Sequence, residues 1–361
     1  MSQLGILSND QAAIAARLEE EAADRKDFLT GLVQKQWLTS LQAVQLGRGR
    51  GHHLSVGGYV LYERLGAGGM GRVFLARHPG LNRFAAIKLV RLDRRHCPIT
   101  RVQFLREVQI AARLNHANVI HAHDAGMDHR AFFLVMEYVP GPDLARLVLS
   151  EGPLEVGRAC EYARQALLGL QHMHDQGIIH RDVKPSNLGL ARGGRVVKVL
   201  DVGLARVRTE GEPVHVSRRR KLLGSADYAA PEQFGSAHKA DARADVYALG
   251  CTLYHLLAGR VPFPGGTSAE KVQRHLTRLP RPIETRRPDL PAGLGDVIRQ
   301  MMARRRKHRY QSAAEAIAAL APYATPFTDQ STGPAQPNNS IPTMPTTVDQ
   351  PTTAGDRSGS V

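Results

Sequence analysis

His180-Arg181-Asp182-Val183-Lys184-Pro185-Ser186-Asn187 is the stretch on which the reading of this chain turns. It sets an acid, a cation and an amide at fixed offsets in a short loop. Asp182 can accept the proton of an attacking hydroxyl. Lys184 can neutralise a moving phosphoryl group, and Asn187 can offer a carbonyl oxygen to magnesium. Phosphoryl transfer needs mainly positioning and charge cancellation, so this mix of groups suits it.

Downstream, the apolar run Val196-Val197-Lys198-Val199-Leu200 reads as a strand and ends at Asp201, with Gly203 close behind. A carboxylate at a strand end beside a glycine can hold a magnesium ion. The alternative, a plain turn aspartate, weakens once Asn187 is in view. Upstream, Lys88 interrupts the strand-like run Ala85-Ala86-Ile87-Lys88-Leu89-Val90. A lysine within an apolar strand needs a partner. Between Lys88 and Ile120 the only glutamate is Glu107, in a segment with Phe104, Val108, Ala111 and Leu114 on one helical face. A Lys88–Glu107 pair would fix the ammonium where it can meet two phosphates, whereas an unpaired lysine would mark a strand edge.

Gly66-Ala67-Gly68-Gly69-Met70-Gly71 fits G-x-G-x-x-G, which alone is compatible with a dinucleotide fold, a phosphate loop or a turn. A dinucleotide fingerprint opens a helix after its last glycine; here Arg72-Val73-Phe74-Leu75-Ala76 is strand-like. No G-K-[ST] follows, which excludes a Walker-type loop. A glycine-rich hairpin lets backbone N–H groups approach phosphates.

With these motifs in this order, the region from Tyr59 to about Tyr323 resembles the eukaryotic-type protein kinases, and most resembles the bacterial eukaryotic-like serine/threonine kinases. Ala230-Pro231-Glu232 matches the end of their activation segment, Asp245-Val246-Tyr247-Ala248-Leu249-Gly250 their large-lobe helix, and Arg309 the arginine that pairs with Glu232. The resemblance implies an α+β, two-lobed fold: a small antiparallel sheet lobe with one helix, and a larger, mainly helical lobe. It implies ATP and Mg2+ as cofactors and proteins bearing Ser or Thr as substrates. Catalytic roles then fall to Asp182, Lys184, Lys88 and Glu107, and metal ligation to Asn187 and Asp201. ATP would lie along Leu65, Gly66, Ala67, Gly68, Gly69, Met70, Gly71, Arg72 and Val73, with Ala86 and Lys88. Its adenine would bond the backbone of Glu137 and Val139 behind the gatekeeper Met136, and Asp143 would meet the ribose. Lys184 and Ser225 favour serine/threonine over tyrosine substrates.

Two positions depart from the family pattern. Val202 stands where a phenylalanine usually follows the metal aspartate, which implies a looser inactive–active balance. Gly189 replaces the leucine that usually floors the adenine site, which implies nucleotide binding weaker by roughly 1–2 kcal/mol. Arg181 beside Asp182 marks family members switched on by phosphorylation. Thr209, Ser217 and Ser225 are the regulatory candidates, Ser217 directly before the basic run Arg218-Arg219-Arg220-Lys221.

Composition bounds the rest. The 361 residues are 42% hydrophobic and 22% charged, an ordinary globular balance, with a net charge of +15. Only 5% are aromatic, too few stacking residues for a single-strand nucleic-acid surface, so no nucleic-acid partner is expected. Cys97, Cys160 and Cys251 form no C-x-x-C pair. His116, His121, His123 and His129 cluster, but no cysteine or paired carboxylate completes a metal set. The chain shows no secretory signal and no apolar run of membrane-spanning length, so a soluble, cytoplasmic protein is expected.

Three regions follow: residues 1–55, a short helical segment with a Gly/Arg linker; 59–323, the catalytic domain; and 325–361, a Thr/Pro/Ser-rich tail expected to be disordered. The competing function is a pseudokinase, an ATP-binding or scaffold module in which Val202 and Gly189 reflect relaxed catalysis. Retention of Lys88, Glu107, Asp182, Asn187 and Asp201 argues for the enzyme. No motif here names a substrate protein or an oligomeric state.

Overall fold

The computed structural model describes residues 5–68, 71–91, 97–128, 131–201, 206–207, 226–234 and 240–327. Strands β1 (Ser55–Val56), β2 (Tyr59–Gly68), β3 (Gly71–His78), β4 (Arg83–Arg91), β5 (Ala122–Asp128) and β6 (Ala131–Glu137) form one antiparallel sheet, ordered β1-β2-β3-β4-β6-β5. Alternation along β4 sorts its side chains. Ala85 and Ile87 join Leu61, Phe74, Phe133 and Val135 on one face. Ala86 and Val90 join Phe104, Phe132 and Leu134 on the other. Lys88 shares the parity of Ala86 and Val90, so strand geometry turns it toward helix α4 (Cys97–Ala112). Phe104 of α4 stacks on Phe132 with ring centroids 4.9 Å apart. Leu114, expected on the face of this helix, is buried just beyond its end.

The large lobe holds α5 (Leu144–Glu151), α6 (Val156–Asp175), α7 (Arg243–Ala258), α8 (Ser268–Thr277), α9 (Leu294–Met301) and α10 (Ala313–Leu320). Helix α7 is buried nearly all round, as expected of a core helix that is apolar on every face. Short ribbons lie on this helical layer: β7 (Ile178–Ile179) pairs with β10 (Arg206–Val207), and β8 (Leu188–Ala191) with β9 (Val196–Val199). They carry the catalytic-loop sequence between them. The architecture is thus α+β in two lobes.

The N-terminal segment, expected to be helical, contains α1 (Asn9–Glu21), α2 (Arg25–Gln34) and α3 (Ser40–Gly47). Ser8, Asp24 and Thr39 cap them through side-chain oxygens. Phe28, Leu29, Leu32, Leu38 and Leu46 pack with Val60, Tyr62 and Leu75 of the sheet. The Gly/Arg stretch read as a linker is ordered: Gly47 closes α3, and a 3-10 turn over Gly51–Leu54 delivers the chain into β1. At the other end, the Thr325 N–H donates to the Gly157 carbonyl at 3.1 Å and Phe327 packs on Tyr162. The first residues of the expected tail are therefore docked on α6, and the rest of it lies outside the described residues. Among the described residues no helix is long and apolar enough to cross a membrane.

Candidate active site

The catalytic loop is held from below by Asp245 of α7, whose side chain is wholly buried. Its carboxylate accepts from the backbone N–H groups of His180 at 2.9 Å and Arg181 at 2.7 Å, and from His174 Nε2 at 2.8 Å. Burial pushes this carboxyl up. The hydrogen bond from His174, the neighbouring imidazoles and the Arg181 N–H outweigh it and leave the group below the usual carboxylate range. Arg181 sits at φ +67°, a left-handed conformation that costs a side-chain-bearing residue energy. The bonds from Asp245, and one from Gln233 Nε2 to the Arg181 carbonyl at 2.9 Å, hold it there.

His180 links this loop to the segment that ends at Asp201. Its Nδ1 accepts the Asp182 N–H at 3.2 Å, so Nε2 carries the proton and donates to the Leu200 carbonyl at 2.8 Å. Asp182 is buried, and Lys184 Nζ lies 2.9 Å from its Oδ2. Asn187 Nδ2 donates to the Asp182 carbonyl at 2.7 Å and to Oδ2 at 3.2 Å. With its amide nitrogen so committed, Asn187 has Oδ1 as the atom to offer a cation. The Leu200 N–H donates to the Asn187 carbonyl at 2.8 Å, which places Asp201 next to this cluster. Asp201 is also left-handed, at φ +51°.

Lys88 closes the site from the sheet side. Its ammonium pairs with Glu107 and lies 3.2 Å from Asp201 Oδ1. Burial alone would pull this ammonium down; the Asp201 and Glu107 carboxylates outweigh burial and raise it above an ordinary lysine. Lys88, Glu107, Asp182, Lys184, Asn187 and Asp201 thus form one connected polar system where the lobes meet. Asp201 and the Asn187 amide oxygen are hard oxygen donors, and one or two protein ligands of this kind, with substrate phosphates, are what magnesium commonly takes.

Beside it, Ala86 and Met136 pack with half-buried Leu65, Val73, Val139 and Leu200. Ala67 and Gly68 lie in β2 opposite Arg72 and Gly71 of β3, with Gly66 opposite Val73. Gly71 has a backbone reason for its identity: an added Cβ would stand 2.2 Å from the Leu89 carbonyl oxygen. Arg72 is exposed. Glu137 pairs with Lys198 at 2.8 Å. Asp143 caps α5, accepting the Arg146 N–H at 2.9 Å, so its carboxylate already has a structural task.

Gly189 leaves no empty floor, because an added Cβ would meet Leu200 Cδ1 at 2.9 Å and Val139 Cγ1 at 3.2 Å. The volume that the sequence reading missed at 189 is supplied from 200. Gly69, Met70, Val202, Thr209, Ser217 and Ser225 lie outside the described residues.

Arg309 makes a two-pronged pair with Glu232 at 2.7 and 2.9 Å and donates to the carbonyls of Ala303, Arg243 and Arg304. In the basic run 304–307, Arg304 donates to the Thr277 carbonyl and Arg306 pairs with Asp241 at 2.7 Å, so two of its charges serve the fold. His116 stacks on His172, and His121 meets His123 edge-on. Among the described residues no His, Cys, Asp and Glu cluster has metal-binding geometry. His180 and Asp245 escaped the sequence reading as site residues. The available signal was an aspartate inside the apolar run 244–251, where burial demands partners.

The fold and this polar system define a class: the chain belongs to the protein kinase family, whose domain description matches residues 59–320. Over 266 residues it is 39% identical to serine/threonine-protein kinase PknB of Mycobacterium tuberculosis, covering 73% of this chain and 42% of that protein. A probable serine/threonine-protein kinase of Clostridium acetobutylicum is 32% identical over 259 residues, 72% of this chain and 39% of the relative. A probable serine/threonine-protein kinase PknB of Bifidobacterium longum is 34% identical over 272 residues, 73% and 39% of the two chains. The chain spans about two fifths of the length of these curated relatives.

Proposed function

We propose that this chain transfers the γ-phosphoryl group of ATP to serine and threonine hydroxyls of proteins. One observation carries the reading: Lys88 Nζ lies between Glu107 and Asp201, while Asp201 adjoins the interlocked Asp182–Lys184–Asn187 cluster. In the reaction the substrate hydroxyl oxygen bonds to the γ-phosphorus as the bond from that phosphorus to the β,γ-bridging oxygen breaks. ADP leaves, and the hydroxyl proton passes to the Asp182 carboxylate. Lys184 screens the charge gathering on the transferred group, and Lys88 orients the phosphates. Asn187 and Asp201 would hold magnesium, which would supply charge neutralisation on the phosphate oxygens. The adenine rests against Val73, Ala86, Val139 and Leu200.

The names of the relatives support serine and threonine as acceptors. Arg181 beside Asp182, as in family members switched on by phosphorylation, and Ser217 directly before the basic run 218–221 support control by a phosphate on Ser217 or Thr209.

The test is purified chain with labelled ATP and magnesium beside Asp182→Asn. Label on protein is expected from the first, with a loss of 100-fold or more, an estimated ~3 kcal/mol, from the second. Nucleotide binding without label transfer in the unaltered chain would leave a scaffold module instead. In the same assay a Ser217→Ala, Thr209→Ala chain should be poorly active; full activity removes the regulatory part alone.

A further inference from the structure

We infer that the N-terminal helices form a clasp that positions the nucleotide site, with Thr39 and Gln42 as its positioning residues; this rests on the kinase reading. Strand β2 changes register twice against β3, between Leu61 and Glu63 and between Arg64 and Gly66. Beyond Val60 it has no pairing with β1, so its carbonyls on that edge need other donors. Two of them find donors in α3. Gln42 Nε2 donates to the Leu61 carbonyl at 3.0 Å, and Thr39 Oγ1 donates to the Tyr62 carbonyl.

The same two side chains close the capping box of α3. The Thr39 oxygen accepts the Gln42 N–H at 3.3 Å, and Gln42 Oε1 accepts the Thr39 N–H at 3.0 Å. Every polar atom of both side chains is thus divided between starting a helix and holding a strand. Gln42 is 1% exposed, a burial a capping box at a helix surface does not require. The feature therefore looks like an attachment as well as a cap.

What it attaches to is the roof and the hinge of the site. Leu65, at the start of the glycine-rich hairpin, packs both on the N-terminal cluster and on the Ala86–Met136 cluster. Tyr62 meets Phe84 edge-on at 5.7 Å, and Phe84 meets Tyr138 at 6.5 Å. Tyr138 lies between Glu137 and Val139, and it too packs on the N-terminal cluster. Loosening the clasp frees the hairpin roof and the adenine-binding backbone together. By reciprocity, nucleotide bound between them must be felt in the helices. Trp37, the only tryptophan of the chain, belongs to this cluster and reports on it.

The experiment uses the full chain, Mg·ADP, calorimetry and Trp37 emission at pH 8. Gln42→Glu keeps an acceptor for the Thr39 N–H, so the cap survives, but turns a carboxylate oxygen on the Leu61 carbonyl. Thr39→Val removes the hydroxyl at nearly constant shape. Both should raise the Kd for Mg·ADP about tenfold and raise KM for ATP rather than lower kcat. Thr39→Ser should restore wild-type binding. Asp24→Ala removes the cap of α2, away from β2, and should leave the Kd unchanged. In the unaltered chain Trp37 emission should saturate with the calorimetric Kd, a measurement that stands even where a variant fails to fold. Wild-type Kd values in Gln42→Glu and Thr39→Val, an equal loss in Asp24→Ala, or a Trp37 signal blind to bound ADP each overturns the clasp alone. No binding of Mg·ADP to the unaltered chain overturns the kinase reading and the clasp with it.

Discussion

Two buried ion pairs, Arg309–Glu232 and Lys88–Glu107, use the same charges to opposite ends. Arg309 has a wholly buried side chain, lies over the Tyr247 ring at 4.7 Å and spends its guanidinium donors on Glu232 and three carbonyls. Nothing in that arrangement is left to bind a ligand. Lys88 instead holds carboxylates from two different elements, α4 and the end of β9. Its geometry exists only while those elements converge, and in the proposed reaction its ammonium is the group that meets the phosphates. A fully satisfied pair makes a fixed joint; a shared one makes a contact that assembly can make or break.

The comparison breaks most readily by replacing each cation with methionine. Arg309→Met removes the two-pronged partner of Glu232 and the donor to three carbonyls at once, and unfolding stability should fall by about 3–5 kcal/mol. Lys88→Met should lower phosphoryl transfer by about 10²–10³-fold. Its stability cost should stay near ~1 kcal/mol, because Glu107 can be relieved by protonation or by a small shift of α4. Urea unfolding and phosphate incorporation on both variants check the crossover. Equal stability losses would mean that the two pairs are one kind of object.

A buried titratable group with no ionic partner sharpens the contrast. Tyr247 carries Arg309 on its ring and, through its hydroxyl, His275 Nδ1 at 2.7 Å. His275 is fully buried beside Phe263 and Phe234, and burial pushes its pKa down to about 4 from 6.5, against the opposing charge of Asp227. As pH falls below 6.5 the unfolded chain takes up a proton that the folded chain refuses until about 4. Stability present at neutral pH is lost across that window, to a total of roughly 3 kcal/mol. Urea midpoints at pH 7, 5.5 and 4.5 should fall steadily in the wild type and less in His275→Gln. Parallel curves for the two proteins would exclude His275 as the source.

Much of this was legible in the sequence. Lys88 had to find a partner, and Glu107 is the only glutamate between it and Ile120; its second partner, Asp201, lies 113 positions away. The loop around Asp182 declared its chemistry by its offsets, and period-2 alternation in β4 fixed which face Lys88 takes. What escaped were contacts between segments distant in sequence. Asp245 supports Arg181 from 64 positions away, and no local pattern announces that bond. The start of helix α3 was hidden because its capping box, Thr39 to Gln42, is only four residues of ordinary composition. The clasp on β2 depends on a bulge register that alternation cannot foretell. At Gly189 the residue's identity fails to disclose its surroundings, because Leu200 and Val139 reach the space its missing side chain leaves.

That failure yields the smallest prediction, and it tests the ligand-facing side of the comparison without touching a charge. Leu200 fills the space above Gly189, and its carbonyl and N–H are tied to His180 and Asn187. Leu200 and Asp201, the proposed metal ligand, therefore move as neighbours on one strand end. Leu200→Ala should weaken Mg·ADP binding by about 1–2 kcal/mol, the value of one buried aliphatic side chain. Gly189→Leu should do no better, since a Cβ there would stand 2.9 Å from Leu200 Cδ1 and turn that side chain out of its place. Combined, the two changes exchange volume across the gap, and most of the loss should be recovered. The sign of that double-mutant coupling is the measurement. Additive losses would mean that the two sites do not share a space, and tighter binding in Gly189→Leu alone would mean that the floor is open after all.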